Sequence, residues 1–231
     1  MSLLRNGYRI ISDALTEREI PNFVETLSLH HPPHDWRQRA GDHDIYGAKP
    51  RLLYALTRAI QPRYVVETGV MHGRSSRAIL AALYDNDVFN GITEARLTSI
   101  DRPTVGTEGR YNGEGRWDNA HVLNVADTGR EVPDYLRSRW DLMLGYSDVL
   151  LPDIARNNLN VDLFYHDSEH TYGTMHAEYT TIWPALQKYG ILLSDDVDWN
   201  DALFDFAQEQ GRTACAIQVN PDGGLVGGIM K

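Results

Sequence analysis

Short apolar runs alternate with amphipathic stretches from residue 64 onward, and this alternation most constrains the fold. The runs typical of buried strands occupy residues 64–66, 97–100, 141–144, 163–166 and 191–193. Apolar residues at helical spacing occupy 75–83, 150–156, 176–188 and 202–210. Strands separated by helices pair in parallel, so the pattern predicts an α/β fold with a Rossmann-like, doubly wound, mostly parallel sheet and helices on both faces. Residues 213–219 and 225–230 flank Asn220-Pro221-Asp222-Gly223-Gly224, which predicts a C-terminal antiparallel hairpin.

The region before the first strand is predicted to contain two helices and a polar stretch. Residues 13–29 show helical spacing, with Thr16 and Glu19 placed as a capping box. Residues 30–44 are rich in His and Pro and are predicted to form a loop or lid. Residues 49–60 form a second predicted helix. The chain therefore divides into an N-terminal helix and loop or lid over 1–45 and one main domain over 46–231.

Composition excludes several classes of partner. The 231 residues carry a formal net charge of −10, which argues against nucleic acid and anionic membrane surfaces as partners. The single cysteine, Cys215, excludes an intrachain disulfide and a cysteine-based metal cluster. No apolar run approaches the roughly 20 residues of a membrane helix. The first residues lack the apolar core of a signal peptide, so we expect a soluble, cytoplasmic protein.

Acidic residues follow two of the predicted strands. Asp167 comes directly after the run 163–166, and Asp195 and Asp196 close the run that ends at Ser194. Ligands of open α/β sheets bind beyond the carboxyl ends of the strands, where these side chains would converge. Adjacent carboxylates repel one another, and a hard divalent cation with oxygen ligands removes that repulsion. The three aspartates therefore predict a metal-assisted site, although Asp195 and Asp196 alone also suit a solvated turn.

Three other strand ends carry residues suited to a nucleotide-like ligand. The first strand runs into Glu67-Thr68-Gly69-Val70-Met71-His72-Gly73-Arg74-Ser75-Ser76, whose glycines permit a tight turn before a helix N-terminus. Asp101 ends the second strand, where a carboxylate can accept hydrogen bonds from ribose hydroxyls. The third strand ends in Gly145-Tyr146-Ser147-Asp148. Taken singly, the glycine turn is equally well explained as an ordinary turn and Asp101 as a solvated carboxylate, and the third segment is better explained as a strand-to-helix turn with a cap.

Together, these segments carry a family resemblance over about residues 45–231. Their order is Glu-Thr-Gly-x-x-x-Gly, a strand-end Asp, Gly-x-Ser-x-x-x-Leu-Pro, Asp-x-x-His and Gly-x-x-x-x-Asp-Asp. This order resembles class I S-adenosylmethionine-dependent methyltransferases. Within them it most resembles the metal-dependent O-methyltransferase branch, with catechol O-methyltransferase, the macrolide-sugar O-methyltransferases and the cephalosporin hydroxylase-like group.

The resemblance implies a role for each matching residue. Residues 46–231 would be the S-adenosylmethionine-binding domain. The implied cofactor contacts are Gly69 and Gly73 beside the methionine moiety, Glu67 beneath it, Ser75 near its carboxylate, Asp101 on the ribose, and Ser147 and Asp148 by the adenine.

The resemblance also implies the catalytic and metal residues. Asp167, Asp195 and Asp196 would bind Mg²⁺ or a similar cation. His170 stands where the catechol enzymes carry a lysine that acts as base, so it is the candidate general base beside Asp167. Without the resemblance, His170 reads as an ordinary helix cap. The chain departs from the family at His166, which replaces an aliphatic residue, and at Ser168, which replaces a common glycine.

The leading functional hypothesis is therefore cation-assisted methylation of a hydroxyl group on a small molecule. A sugar or glycoside acceptor is favoured because sugar hydroxyls have high pKa values and profit from metal assistance. A nicotinamide-dependent oxidoreductase would fit Asp101 but lacks Gly-x-Gly-x-x-Gly. A metal-dependent hydroxylase would want two histidines and one carboxylate, and a binding protein without chemistry would not need the acids. Residues 102–139 are a candidate lid, and the apolar N-terminal helix offers a surface for a homodimer.

Overall fold

A computed structural model describes residues 3–5, 8–10, 19–103, 110–111, 117–118, 124–157, 160–220 and 223–231. The strands are β1 (Leu3–Arg5), β2 (Tyr8–Ile10), β3 (Tyr64–Thr68), β4 (Arg96–Asp101), β5 (Arg110–Tyr111), β6 (Trp117–Asp118), β7 (Trp140–Leu144), β8 (Val161–His166), β9 (Leu186–Ser194), β10 (Cys215–Asn220) and β11 (Gly223–Met230). The helices are α1 (Ile20–Ser28), α2 (Trp36–Asp42), α3 (Ala48–Ile60), α4 (Arg74–Asn90), α5 (Ser147–Asn157), α6 (Tyr172–Ile182) and α7 (Ala202–Glu209).

The main sheet of the described residues has the strand order β1-β2-β10-β11-β9-β8-β3-β4-β7. Strands β7, β4, β3, β8 and β9 are parallel, whereas β11 runs antiparallel to β9 and pairs with β10 as a hairpin. The chain passes outward from β3 to β4 and β7 and then returns to β8 on the other side of β3. This reversal creates a crevice at the carboxyl ends of β3 and β8. The predicted fold class is confirmed.

Helices cover both faces of the sheet, which is why its strands read as continuous apolar runs. Leu163 and Tyr165 of β8 lie in the core cluster formed with α1 to α4. Phe164, between them, lies in the second cluster, formed with α5, α6 and α7. Successive side chains of a strand point to opposite faces, so one strand serves two cores.

The N-terminal region differs from its prediction. A helix, α2, lies inside the stretch 30–44 that was predicted as a loop or lid, and its Trp36 and Ala40 are buried in the core. The helix spans only two turns, and one pair of residues four apart is too short a pattern to indicate it. As described, α1 begins at Ile20, and the Glu19 side chain makes no cap hydrogen bond. The other member of the predicted capping box, Thr16, lies outside the described residues.

Two other boundaries are corrected. The helix predicted over 176–188 is α6, which ends at Ile182; a single 3₁₀ turn, Trp183–Ala185, follows, and β9 already begins at Leu186. Pro184 cannot continue the helix because it lacks an N–H donor. Parts of the predicted lid over 102–139 lie outside the described residues, as do the turn residues 221–222 of the hairpin, so the lid stays a prediction. The domain division at residue 45 also stays a prediction.

None of the helices in the described ranges has the length and apolar content needed to cross a bilayer.

Candidate active site

Backbone contacts bring the carboxyl ends of β3, β8 and β9 into one crevice. The amide of Asp167 donates to the carbonyl of Thr68 at 2.7 Å, and the amide of Asp195 donates to the carbonyl of His166 at 2.9 Å. Gly69 has a φ of +86°, and a Cβ there would lie 1.9 Å from the carbonyl oxygen of Asp167. Gly69 is therefore needed for the close approach of β3 and β8.

An acidic cluster with one histidine lies at this edge. Asp167, His170 and Asp195 each offer a ligand atom, and these atoms lie within 4.8 Å of one another. Asp196 stands to the side, with its Oδ2 3.9 Å from Nδ1 of His170, while Nε2 of His170 lies 3.7 Å from Oδ1 of Asp167. The His170 ring packs against Trp199 with centroids 5.2 Å apart. The imidazole thus sits between two carboxylates.

A lysine from a distant helix enters the acidic cluster. The Nζ of Lys49, in the first turn of α3, donates to Oδ2 of Asp195 and lies 3.4 Å from Oδ2 of Asp167. Burial alone would lower the pKa of Lys49, but the charges of Asp167 and Asp195 outweigh it and raise that pKa. Burial and the charge of Asp167 raise the pKa of Asp195. Lys49 was not singled out from the sequence, where the available signal was a cation in the first turn of a helix, a position that the helix dipole disfavours.

These residues do not fit the predicted magnesium site while Lys49 occupies it. Of the three predicted ligands, Asp167 and Asp195 come together, but each turns one oxygen toward the ammonium. Asp196 contacts the other nitrogen of His170 and is not part of the group within 4.8 Å, and a histidine nitrogen is a poor partner for Mg²⁺, which prefers oxygen. The predicted role of Asp196 as a ligand therefore stays a prediction.

A buried glutamate explains both departures from the family pattern. Glu178 of α6 accepts hydrogen bonds from Thr68 Oγ1 at 2.5 Å, His166 Nδ1 at 2.8 Å and Ser168 Oγ at 2.8 Å. Burial would raise the pKa of Glu178, but the charge of His166 and hydrogen bonds from His166, Ser147 and Thr68 lower it. His166 and Ser168 thus fix the strand end that carries Asp167. Glu178 was not singled out from the sequence, although it lies on the same helix face as the buried Met175, Tyr179 and Ile182.

Glu67, which the resemblance assigns to the cofactor site, lies in β3 directly before the glycine turn. It is fully buried, and its Oε2 accepts hydrogen bonds from Ser76 Oγ at 2.6 Å and Ser99 Oγ at 2.7 Å. Its Oε1 is buried and has no hydrogen-bond partner among the described residues. Burial raises the pKa of Glu67 to about 7, against the opposing effect of the nearby Ser75, Ser76 and Ser99 hydroxyls. An unpartnered buried acceptor beside a glycine turn suits a ligand that carries an amino group.

The glycine turn itself is tightly held. Gly73 precedes α4 with a φ of +89°, and a Cβ there would lie 2.9 Å from Cα of Gly129. Met71, a non-glycine residue, has a φ of +49°, a strained conformation of the kind found at ligand sites. Its amide donates to Oδ2 of Asp101 at 3.3 Å. Asp101 is half-buried, and this burial raises its pKa against the opposing effect of backbone amides.

Beyond Asp101, the end of β7 presents an apolar surface. Leu144, Tyr146 and Val149 are exposed there, next to the half-buried Ser147 and the exposed Asp148 of α5. Arg102 lies over the Tyr146 ring, 4.2 Å from its centroid. The surface is suited to a flat heteroaromatic ring, in the place where resemblance puts the adenine. Leu144, Tyr146 and Val149 were given no role from the sequence, whereas Ser147 and Asp148 were assigned to the adenine.

A comparison with protein families assigns the class of this fold and site. A family model described as a methyltransferase domain matches residues 66–197, which is more than half of the chain. The chain therefore belongs to this methyltransferase family. The predicted resemblance to class I S-adenosylmethionine-dependent methyltransferases is confirmed.

Solved structures share the fold over nearly the whole chain. A putative O-methyltransferase from Klebsiella pneumoniae superposes with a TM-score of 0.58 at 14% identity, covering 92% of this chain and 96% of that one. The O-methyltransferase TomG from Streptomyces achromogenes, involved in tomaymycin synthesis and solved with SAM, gives 0.56 at 18% identity, covering 94% and 99%. The O-methyltransferase from Bacillus cereus, solved with SAH, gives 0.54 at 13% identity, covering 92% and 97%. No curated protein matches the sequence significantly.

Proposed function

We propose that this methyltransferase transfers the methyl group of S-adenosylmethionine to a hydroxyl group of a small molecule. The observation that carries the proposal is the convergence of the glycine turn and the Asp167–His170 cluster at the crevice between β3 and β8. One part of the crevice suits the cofactor, and the other supplies a base. The family match favours this function over the nicotinamide-dependent alternative.

The glycine turn and its flanking acids would hold the cofactor. S-adenosylmethionine supplies an activated methyl group on a sulfonium, so the protein has mainly to align donor and acceptor. The N-terminus of α4, whose Gly73 cap adds no side-chain hydrogen bond, favours the cofactor carboxylate together with Ser75. Oε1 of Glu67 would accept from the amino group, Asp101 would hold the ribose, and Ser147 and Asp148 would flank the adenine.

His170 would take the proton of the acceptor hydroxyl. Its two nitrogens face Asp167 and Asp196 at 3.7 and 3.9 Å, and these carboxylates stabilise the imidazolium that proton transfer creates. The side chain is 11% exposed, so a bound acceptor would exclude most remaining water. Trp199 packs beside the imidazole and offers a face for a sugar ring or a phenol. A sugar or glycoside acceptor stays our preferred hypothesis.

Calorimetric titration of S-adenosylmethionine and its demethylated product tests the cofactor site. We expect saturable binding to the wild type and to Asp153→Ala, a matched change on the exposed face of α5. Asp101→Ala should bind at least about tenfold more weakly, the cost of about one hydrogen bond to a charged group. Binding of a nicotinamide cofactor in place of S-adenosylmethionine would contradict the proposal.

The acceptor is tested by methyl transfer from labelled S-adenosylmethionine to a panel of sugars, glycosides and phenols. We expect label on hydroxyl oxygens and its loss in His170→Ala, with cofactor affinity retained. Transfer to phenols alone would remove the sugar hypothesis but not the O-methylation. Transfer only to nitrogen or carbon would contradict the proposed function.

A further inference from the structure

We propose that the ammonium group of Lys49 takes the place of a divalent cation at this site, so that the chain binds no metal between Asp167 and Asp195. The inference concerns which cation neutralises Asp167 and Asp195, and it rests on the proposed function only for what the site does. Lys49 is then a positioning residue, since it contacts Asp167 and Asp195 rather than a reacting atom.

The first support is where the ammonium lies. Nζ of Lys49 contacts Oδ2 of Asp195 and lies 3.4 Å from Oδ2 of Asp167, so it bridges the two carboxylates that resemblance assigned to the metal. Asp195 is almost fully buried, and a buried carboxylate needs a nearby positive charge. The ammonium supplies that charge to Oδ2 of Asp195 without an ion. A divalent cation placed between the same oxygens would repel it strongly.

The second support is the position of Lys49 in its helix. It lies in the first turn of α3, which contains no acidic residue and follows Gly47, a cap without a side chain. Backbone N–H groups and the helix dipole disfavour a cation at this end, so Lys49 gains nothing from its own helix. Its interactions with Asp167 and Asp195 offset that disadvantage. The placement is therefore explained by the carboxylates and not by helix formation.

The third support is the set of donors that remains. Asp167, His170 and Asp195 each offer one possible ligand atom within 4.8 Å of the others. One oxygen of each aspartate is turned to Lys49, and the third of these ligand atoms is a nitrogen of His170. Mg²⁺ requires near-octahedral oxygen coordination, and Asp196 is not part of this group. His170 cannot serve both as a ligand and as the base. The remaining oxygens therefore do not make a magnesium site.

Titration calorimetry with Mg²⁺ and Mn²⁺ tests the exchange of one cation for the other. We expect no saturable binding to the wild type or to Lys188→Met, which removes the same charge from an exposed position. Lys49→Met leaves two carboxylates without a counter-charge and should bind one metal ion saturably, at least about tenfold more tightly than any wild-type binding. Saturable wild-type binding within about tenfold of the variant's affinity overturns the proposal, as does an absence of binding by a folded Lys49→Met protein.

A second measurement covers the case in which Lys49→Met does not fold. Thermal unfolding of the wild type and its affinity for the demethylated cofactor should be unchanged between EDTA and excess Mg²⁺; a clear shift in either overturns the proposal. Lys49→Gln, which keeps two N–H donors but no charge, provides a milder variant for the metal titration. Failure of the wild type to bind any cofactor, with the metal results as expected, would refute the proposed function and leave the role of Lys49 standing.

Discussion

Replacing Glu67 by glutamine should flatten the dependence of stability on pH. Glu67 is fully buried in β3, and burial raises its pKa from the ordinary value of 4.5 to about 7. Below pH 4.5 the side chain is protonated in the native and the unfolded chain alike. Between the two pKa values the unfolded chain loses the proton first, so the free energy of unfolding falls as the pH rises.

The magnitude follows from the two pKa values. One pKa unit corresponds to about 1.4 kcal/mol, so a shift from 4.5 to about 7 removes about 3 kcal/mol at high pH. Between about pH 5 and about pH 8 the loss is about 2.5 kcal/mol. Asp195, whose pKa is also raised, titrates in both proteins, and its contribution cancels in the comparison. Glutamine keeps an oxygen that can accept from Ser76 and Ser99.

Urea unfolding without cofactor, at about pH 5 and about pH 8, measures this loss in the wild type, in Glu67→Gln and in the exposed control Glu94→Gln. The free energy of unfolding should fall about 2.5 kcal/mol less in Glu67→Gln than in the wild type. The control should run parallel to the wild type. Parallel profiles for all three proteins would show that Glu67 is ionised normally in the fold, which would refute the reasoning from burial.

Two further changes test the close approach of β3 and β8 and a buried ion pair between α3 and α4. Gly69→Ala should destabilise the protein by more than about 2 kcal/mol and weaken cofactor binding, because its Cβ would meet the Asp167 carbonyl at a positive φ. The matched control is Gly173→Ala, in a helix with open space around it. Equal stability of the two variants would contradict the close approach of β3 and β8. Asp85→Ala should lower the free energy of unfolding in urea by about 3–5 kcal/mol, because it leaves the buried Arg58 guanidinium without its carboxylate. A decrease below about 1 kcal/mol would show that the Asp85–Arg58 ion pair contributes little to stability.

The predictable parts of the fold were those with a local pattern. The strands around Val65, Leu97 and Leu163 are apolar because both faces of the sheet are covered, and that pattern is visible in any short window. The helix α2 was not predicted because its two buried residues, Trp36 and Ala40, make too short a pattern to indicate a helix. The end of α6 was placed too late because its helical spacing runs on into the first residues of β9.

The sequence by itself determined the alternation of strands and helices, the glycine turn after β3 and the acids at the strand ends. Each follows from residues close together in the chain, since strand ends and turns are local features. Only the tertiary structure decided what surrounds those acids. Lys49 lies 118 residues before Asp167 and 146 before Asp195, and Glu178 reaches Thr68 across 110 residues. A buried charge interacts with whichever partner the packing of the fold places next to it, and no local sequence pattern specifies that partner.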